Sequence, residues 1–120
     1  MIDVTTMAAQ GDVLFRRIDT LPDGLTAVPD DEAGGHVVAH SETGHHHRVR
    51  GEDGARVCHY RPEGGDGLVS YLVLEGGATV THERPWDTHA PLRLGGGAGA
   101  VWEVRRQREY TPEGLRRVED

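Results

Sequence analysis

Eight histidines in 120 residues are the feature with most chemical promise: His36, His40, His45, His46, His47, His59, His82 and His89. Their spacing matters more than their number. Gly44-His45-His46-His47 sets two imidazoles at i and i+2. In an extended strand those two positions share a face, so His45 and His47 can converge on one ion while His46 points away. A second group is His82, which ends the alternating run Ala78, Val80, His82, and His89, which follows a short loop. Neutral imidazole is a good ligand for Zn, Fe, Mn, Ni or Cu. The expectation is a divalent metal ion held by His45, His47, His82 and His89. Glu42 and Glu83 are nearby carboxylates that could complete the coordination sphere or act as a base, though spacing alone does not place either of them. His59 alternates with Val57 and reads as a satisfied sheet residue, and His36 and His40 read as surface residues.

A second chemical feature is the run Arg106-Gln107-Arg108-Glu109-Tyr110. Arg106 and Arg108 share a face with Trp102 at strand spacing, and Arg is the bidentate donor for phosphate or carboxylate. If that face is buried, both arginines need carboxylate partners or an anionic ligand. Otherwise the run is a charged edge strand. Cys58 is no nucleophile candidate, because its neighbour His59 lies on the opposite face of a strand.

Composition narrows the classes. The chain carries 13 basic residues, all Arg, and 20 acidic ones, for a net charge of −7. A general phosphate-backbone binder needs a basic surface, which makes nucleic acid the less favoured partner despite the C-terminal Arg patch. One cysteine excludes an internal disulfide framework and a Cys-rich zinc site. No apolar run approaches the roughly 18 residues of a membrane helix, and no secretory signal is visible, so a cytoplasmic protein is expected. Walker, dinucleotide and Gly-x-Ser-x-Gly motifs are missing, and Gly95 to Gly99 reads as a flexible turn.

The elements that must position these residues are strands. Apolar positions recur with period two in short segments separated by Gly, Pro and Asp, the pattern of an all-β fold. Strands are expected at 13–18, 36–40, 45–50, 55–61, 68–74, 78–83, 90–94 and 100–110. The segment 68–74 is nearly all apolar and reads as a strand buried on both faces. Residues 29–35 read as a solvated acidic loop. Thr111-Pro112-Glu113 looks like a helix start, with Thr as cap and Pro at the first position. The expected architecture is a flexible leader at 1–10, then a single domain over 11–120. That domain is a small antiparallel β-sandwich or barrel with a short C-terminal helix.

The His45-x-His47 pair on an all-β chain resembles the cupins, and this resemblance implies a β-barrel that holds a metal between strands. A second resemblance covers most of residues 11–118. It is carried by Gly11-Asp12-Val13, Thr43-Gly44-His45-His46-His47, His82, His89-Ala90-Pro91 and Arg106-Gln107-Arg108-Glu109-Tyr110. These resemble the pattern of a group of small uncharacterised bacterial and phage-type proteins, a resemblance that implies no activity. Two functions follow as expectations. One is a divalent-metal-binding β-sandwich, extending to a metal-dependent enzyme acting on a small-molecule or anionic ligand. The other is a non-catalytic accessory subunit of a bacterial or phage system, with a protein partner or a second copy of itself.

Overall fold

The alternating segments form two sheets. A computed structural model describes residues 1–30, 35–40, 46–65, 67–83, 90–106, 108–111 and 114–117, with backbone alone at 40, 83 and from 108 onward. The strands are β1 (Ile2–Val4), β2 (Met7–Gln10), β3 (Val13–Ile18), β4 (Leu25–Val28), β5 (His36–His40), β6 (His46–Gly51) and β7 (Val57–Pro62). They continue with β8 (Val69–Leu74), β9 (Ala78–Glu83), β10 (Leu92–Leu94), β11 (Ala100–Arg106), β12 (Arg108–Thr111) and β13 (Gly114–Arg117). One sheet runs β1-β10-β9-β6-β5 and the other β2-β3-β11-β8-β7-β4. Pairing is antiparallel throughout the described strands except for β1 with β10.

The chain passes repeatedly between layers, so each sheet is built from distant segments. Their inner faces meet in one core, as in an antiparallel sandwich. Trp102, Phe15, Leu72 and Leu74 come from one sheet, and Val49, Val80 and Leu94 from the other. Trp102 is wholly buried, and its indole N–H donates to Gly95 O at 3.2 Å, so its one polar atom is satisfied. β8 lies between β11 and β7, as a core strand should. Its inward Leu72 and Leu74 are fully buried, while Val69 and Val73 on the other face are only half-buried.

Three expectations change. Residues 1–10 are not a leader: β1 adds to the edge of one sheet and β2 to the edge of the other. Val4 and Gln10 are buried there. Strands of three and four residues are too short for alternation to reveal them. β4 was likewise hidden, because its pattern is mostly exposed on both faces. The expected C-terminal helix gives way to a hairpin in which Tyr110 pairs with Leu115 and Arg108 with Arg117. A helix of one or two turns has too few bonds to offset nucleation, whereas a hairpin pairs both arms of the segment. Pro112 and Glu113, the expected helix start, lie outside the described residues, as do residues 31–34 of the acidic loop.

Candidate functional site

The Gly11-Asp12 dipeptide makes the two-residue turn between β2 and β3, since Gln10 pairs with Val13. Gly11 has φ +60° and Asp12 does not share that sign, the pattern of a hairpin turn with glycine at its first loop position. This turn folds the Asp12 carboxylate inward until its side chain is fully buried. Arg106, the last residue of β11, meets it there. Its Nη2 and Nε donate to Asp12 Oδ2 at 2.7 and 3.2 Å. A buried Arg106 needs a carboxylate partner or an anionic ligand. The partner is Asp12, so Arg106 is engaged within the core.

His47 and His82 face this ion pair. They are direct cross-strand partners between β6 and β9. Alternation points both inward, with Val49 and with Val80 respectively. Their rings stack with centroids 4.0 Å apart and planes 12° from parallel. His47 is wholly buried, and its Nδ1 lies 3.0 Å from Gln10 Oε1. Gln10 Nε2 donates to Val80 O at 3.2 Å and Ala90 O at 3.0 Å. His47 Nε2 stands 3.6 Å from Asp12 Oδ1. The polar cluster therefore runs Arg106, Asp12, His47, Gln10, with His82 packed on the His47 ring.

Two of the four expected ligands are thus brought into contact. His45, His89 and Glu42 lie outside the described residues, as do the side chains of Glu83 and Arg108. Glu83 is placed by its backbone opposite His46, one residue beyond the His47–His82 pair. Among the described residues, no three His, Cys, Asp or Glu side chains are already gathered in a metal-holding geometry. Parallel rings send their in-plane lone pairs side by side, so a shared ion requires one imidazole to turn out of the stack. Glu52, just past the far end of β6, is held there by Arg93 Nε at 2.9 Å and by Thr79 Oγ1 at 3.3 Å.

Asp12 and Gln10 were missed by sequence reasoning. Gly-Asp reads as an ordinary turn, and Gln10 sits in the segment that reads as a leader. Two other histidines also differ from expectation. His36 is buried, not superficial, and its Nε2 lies 3.0 Å from Val57 O and 2.9 Å from Asp30 Oδ1. Its ring meets the His59 ring edge-on at 5.3 Å, joining the two sheets. His59 is a buried sheet residue as expected, but it is not satisfied: neither ring nitrogen has a hydrogen-bond partner among the described residues. Burial holds its pKa down from 6.5 to about 3, assisted by His36 and Arg61, so this ring is neutral. Open clefts of about 260 and 540 Å³ flank this second pair, with Asp30, Arg56 and Val57 on both walls.

Comparison with known proteins adds a family but no activity. No curated protein and no solved structure matches the chain. A family described as a domain of unknown function (DUF8820) matches residues 9–107. That span begins just before Gln10 and ends just after Arg106, so it takes in Gln10, Asp12, His47, His82 and Arg106. With most of its length inside that match, the chain belongs to the DUF8820 family.

Proposed function

We propose that this chain is a divalent-metal-binding β-sandwich protein, with His47 and His82 as ligands and His45 and His89 completing the set. One observation carries the reading. Two histidines 35 positions apart are register partners on neighbouring strands, both inward, with their rings in contact. The support is strengthened by the His47 environment. A metal-binding imidazole commonly engages its other nitrogen with a fixed polar group, and Gln10 is such a group. Zn, Fe, Mn and Ni all suit imidazole donors. A bound ion would lower the pKa of a water or polarise a substrate oxygen, with Glu42 or Glu83 as base, which extends the reading to a metal-dependent enzyme.

Elemental analysis of the untagged protein tests this. Stoichiometric metal is expected, with loss on His47→Ala and on His82→Ala. Metal-free protein, or metal retained by both variants, refutes it. A second reading is favoured by the complete burial of His47 and the Asp12 side chain, which places the cluster inside the core. It makes the chain a non-catalytic accessory subunit in a bacterial or phage system, with any metal structural. Co-purification of a stoichiometric protein partner supports that reading, and turnover of small substrates by the isolated chain opposes it.

A further inference from the structure

The second histidine pair lies at an opening of the sandwich that the metal reading does not use. His36 starts β5 in one sheet, and its ring reaches Val57 at the start of β7 in the other. Its Nε2 faces two acceptors, Val57 O at 3.0 Å and Asp30 Oδ1 at 2.9 Å. One N–H shared between two oxygens accounts for both contacts, so Nε2 carries the proton and, in the neutral ring, Nδ1 is an acceptor. His36 is 4% exposed, and Nδ1 is buried with no hydrogen-bond partner among the described residues. Such an atom costs free energy until a donor reaches it.

His36 lines the 260 Å³ cleft together with two cations, Arg50 near the end of β6 and Arg56 just before β7. Both arginines are exposed. Arg16, Arg93, Arg105 and Arg106 have carboxylate partners, whereas neither Arg50 nor Arg56 has one among the described residues. The Arg50 stem crosses Gly35, where an added Cβ would stand 2.8 Å from Arg50 Cγ and from Val49 O. Arg56 is fixed through its backbone, whose carbonyl accepts from Glu75 N at 3.1 Å. Asp30, the carboxylate on the same wall, is bonded to His36. The cleft is smaller than the roughly 300–1,000 Å³ of sites for drug-sized ligands, so its occupant is small. Two guanidinium groups call for an oxyanion, and the buried acceptor calls for an O–H on it.

We propose that this cleft binds a small oxyanion carrying a hydroxyl, with Arg50 and Arg56 holding the charge and His36 Nδ1 accepting from the hydroxyl. Hydrogen phosphate and a 2-hydroxycarboxylate share that chemistry. The site uses no residue of the His47–His82 cluster and does not rest on the metal-binding reading. It gives the chain an anionic ligand at a place other than Arg106, whose charge is met by Asp12.

The test titrates the metal-free, untagged full chain by calorimetry at pH 8 with phosphate, glycolate, sulfate and acetate. Phosphate is then mostly the dianion with one O–H, sulfate has the charge without it, and acetate is glycolate without its hydroxyl. One equivalent of phosphate or of glycolate is expected to bind, at least 10-fold more tightly than its hydroxyl-free control. Binding of phosphate alone assigns a phosphate site, and binding of glycolate alone a hydroxy-acid site. Arg50→Gln and Arg56→Gln change exposed residues, with circular dichroism to verify the fold. Each is expected to weaken binding at least 10-fold, the loss of a charge-assisted hydrogen bond. Arg17→Gln, an exposed arginine on β3 outside the cleft, should leave it unchanged. Long-range 1H–15N spectra of the free wild type are expected to show His36 protonated on Nε2, with the Nδ1 resonance moving on saturation. The inference is overturned if neither phosphate nor glycolate binds at millimolar concentration, or if both Arg variants bind as wild type does. Sulfate and acetate binding as tightly as phosphate and glycolate, or His36 protonated on Nδ1 instead of Nε2, also overturns it. The metal reading survives each of these outcomes, since no metal is present.

Discussion

Replacing Arg106 with Met should be among the most damaging single changes in the molecule, although it removes no apolar packing. The Arg106 and Asp12 side chains are 6% and 0% exposed, and two Arg106 nitrogens share Asp12 Oδ2 at 2.7 and 3.2 Å. Methionine fills similar volume but leaves a carboxylate buried without its cation. Breaking such a pair on one side costs about 3–5 kcal/mol. Removing both charges in D12N/R106M should recover much of this, because a buried pair gains little over neutral groups of the same shape. Arg16 provides the control, since it contacts Glu103 at 3.2 Å with its own side chain 52% exposed. Glu103 is itself buried, but it keeps Arg105 Nε at 3.4 Å when Arg16 is removed, so the exposed Arg16 should contribute under about 1 kcal/mol. Urea unfolding of wild type, Arg106→Met, D12N/R106M and Arg16→Met measures all four, with unchanged slopes required for comparison. A loss of several kcal/mol is large against a usual total of about 5–15 kcal/mol, so the midpoint shift is easily read. Equal small shifts for Arg106→Met and Arg16→Met would refute the claim that the Asp12–Arg106 contact is a buried, interdependent pair.

Other outcomes follow from the same packing. His59 is neutral when folded, with its pKa lowered from 6.5 to about 3, while the unfolded ring protonates near its ordinary value. Its contribution to stability is complete above pH 6.5 and is lost as pH falls toward 3, at about 1.4 kcal/mol per pH unit within that window. His59→Leu removes this slope, which chemical unfolding of both proteins between pH 7 and pH 4 would measure as about 1.4 kcal/mol per unit. Trp102→Ala empties the largest fully buried site among the described residues and should cost about 3–5 kcal/mol by thermal or urea unfolding. Gly11→Ala places a side chain at φ +60° and should cost about 1–2 kcal/mol, with Asp12 displaced as its turn adjusts.

Much of the fold was legible because period-two alternation survives in strands with one buried face. β3, β5 and β9 have the bounds expected from their residues. His47 and His82 were readable as inward residues for the same reason, since each continues an alternating apolar series through Val49 or Val80. Their mutual register was not readable, because it depends on pairing between β6 and β9 at a sequence separation of 35. Asp12 was obscured by a different effect. A turn aspartate is ordinarily solvated, and the approach of Arg106, 94 residues later, is what helps make its burial tolerable. Gln10 and β1 were hidden because edge strands of three or four residues carry too few positions to display a period. The C-terminal hairpin was misread because Thr-Pro-Glu suits a turn as well as a helix start.

The central claim is that His47 and His82 hold one divalent ion together. Titration of metal-free, untagged protein with Zn(II), followed through the 15N resonances of all eight imidazoles, tests it most directly. The account predicts that His47 and His82 shift together and saturate at one equivalent. Saturation of other histidines at one equivalent, with His47 and His82 unmoved, would contradict it.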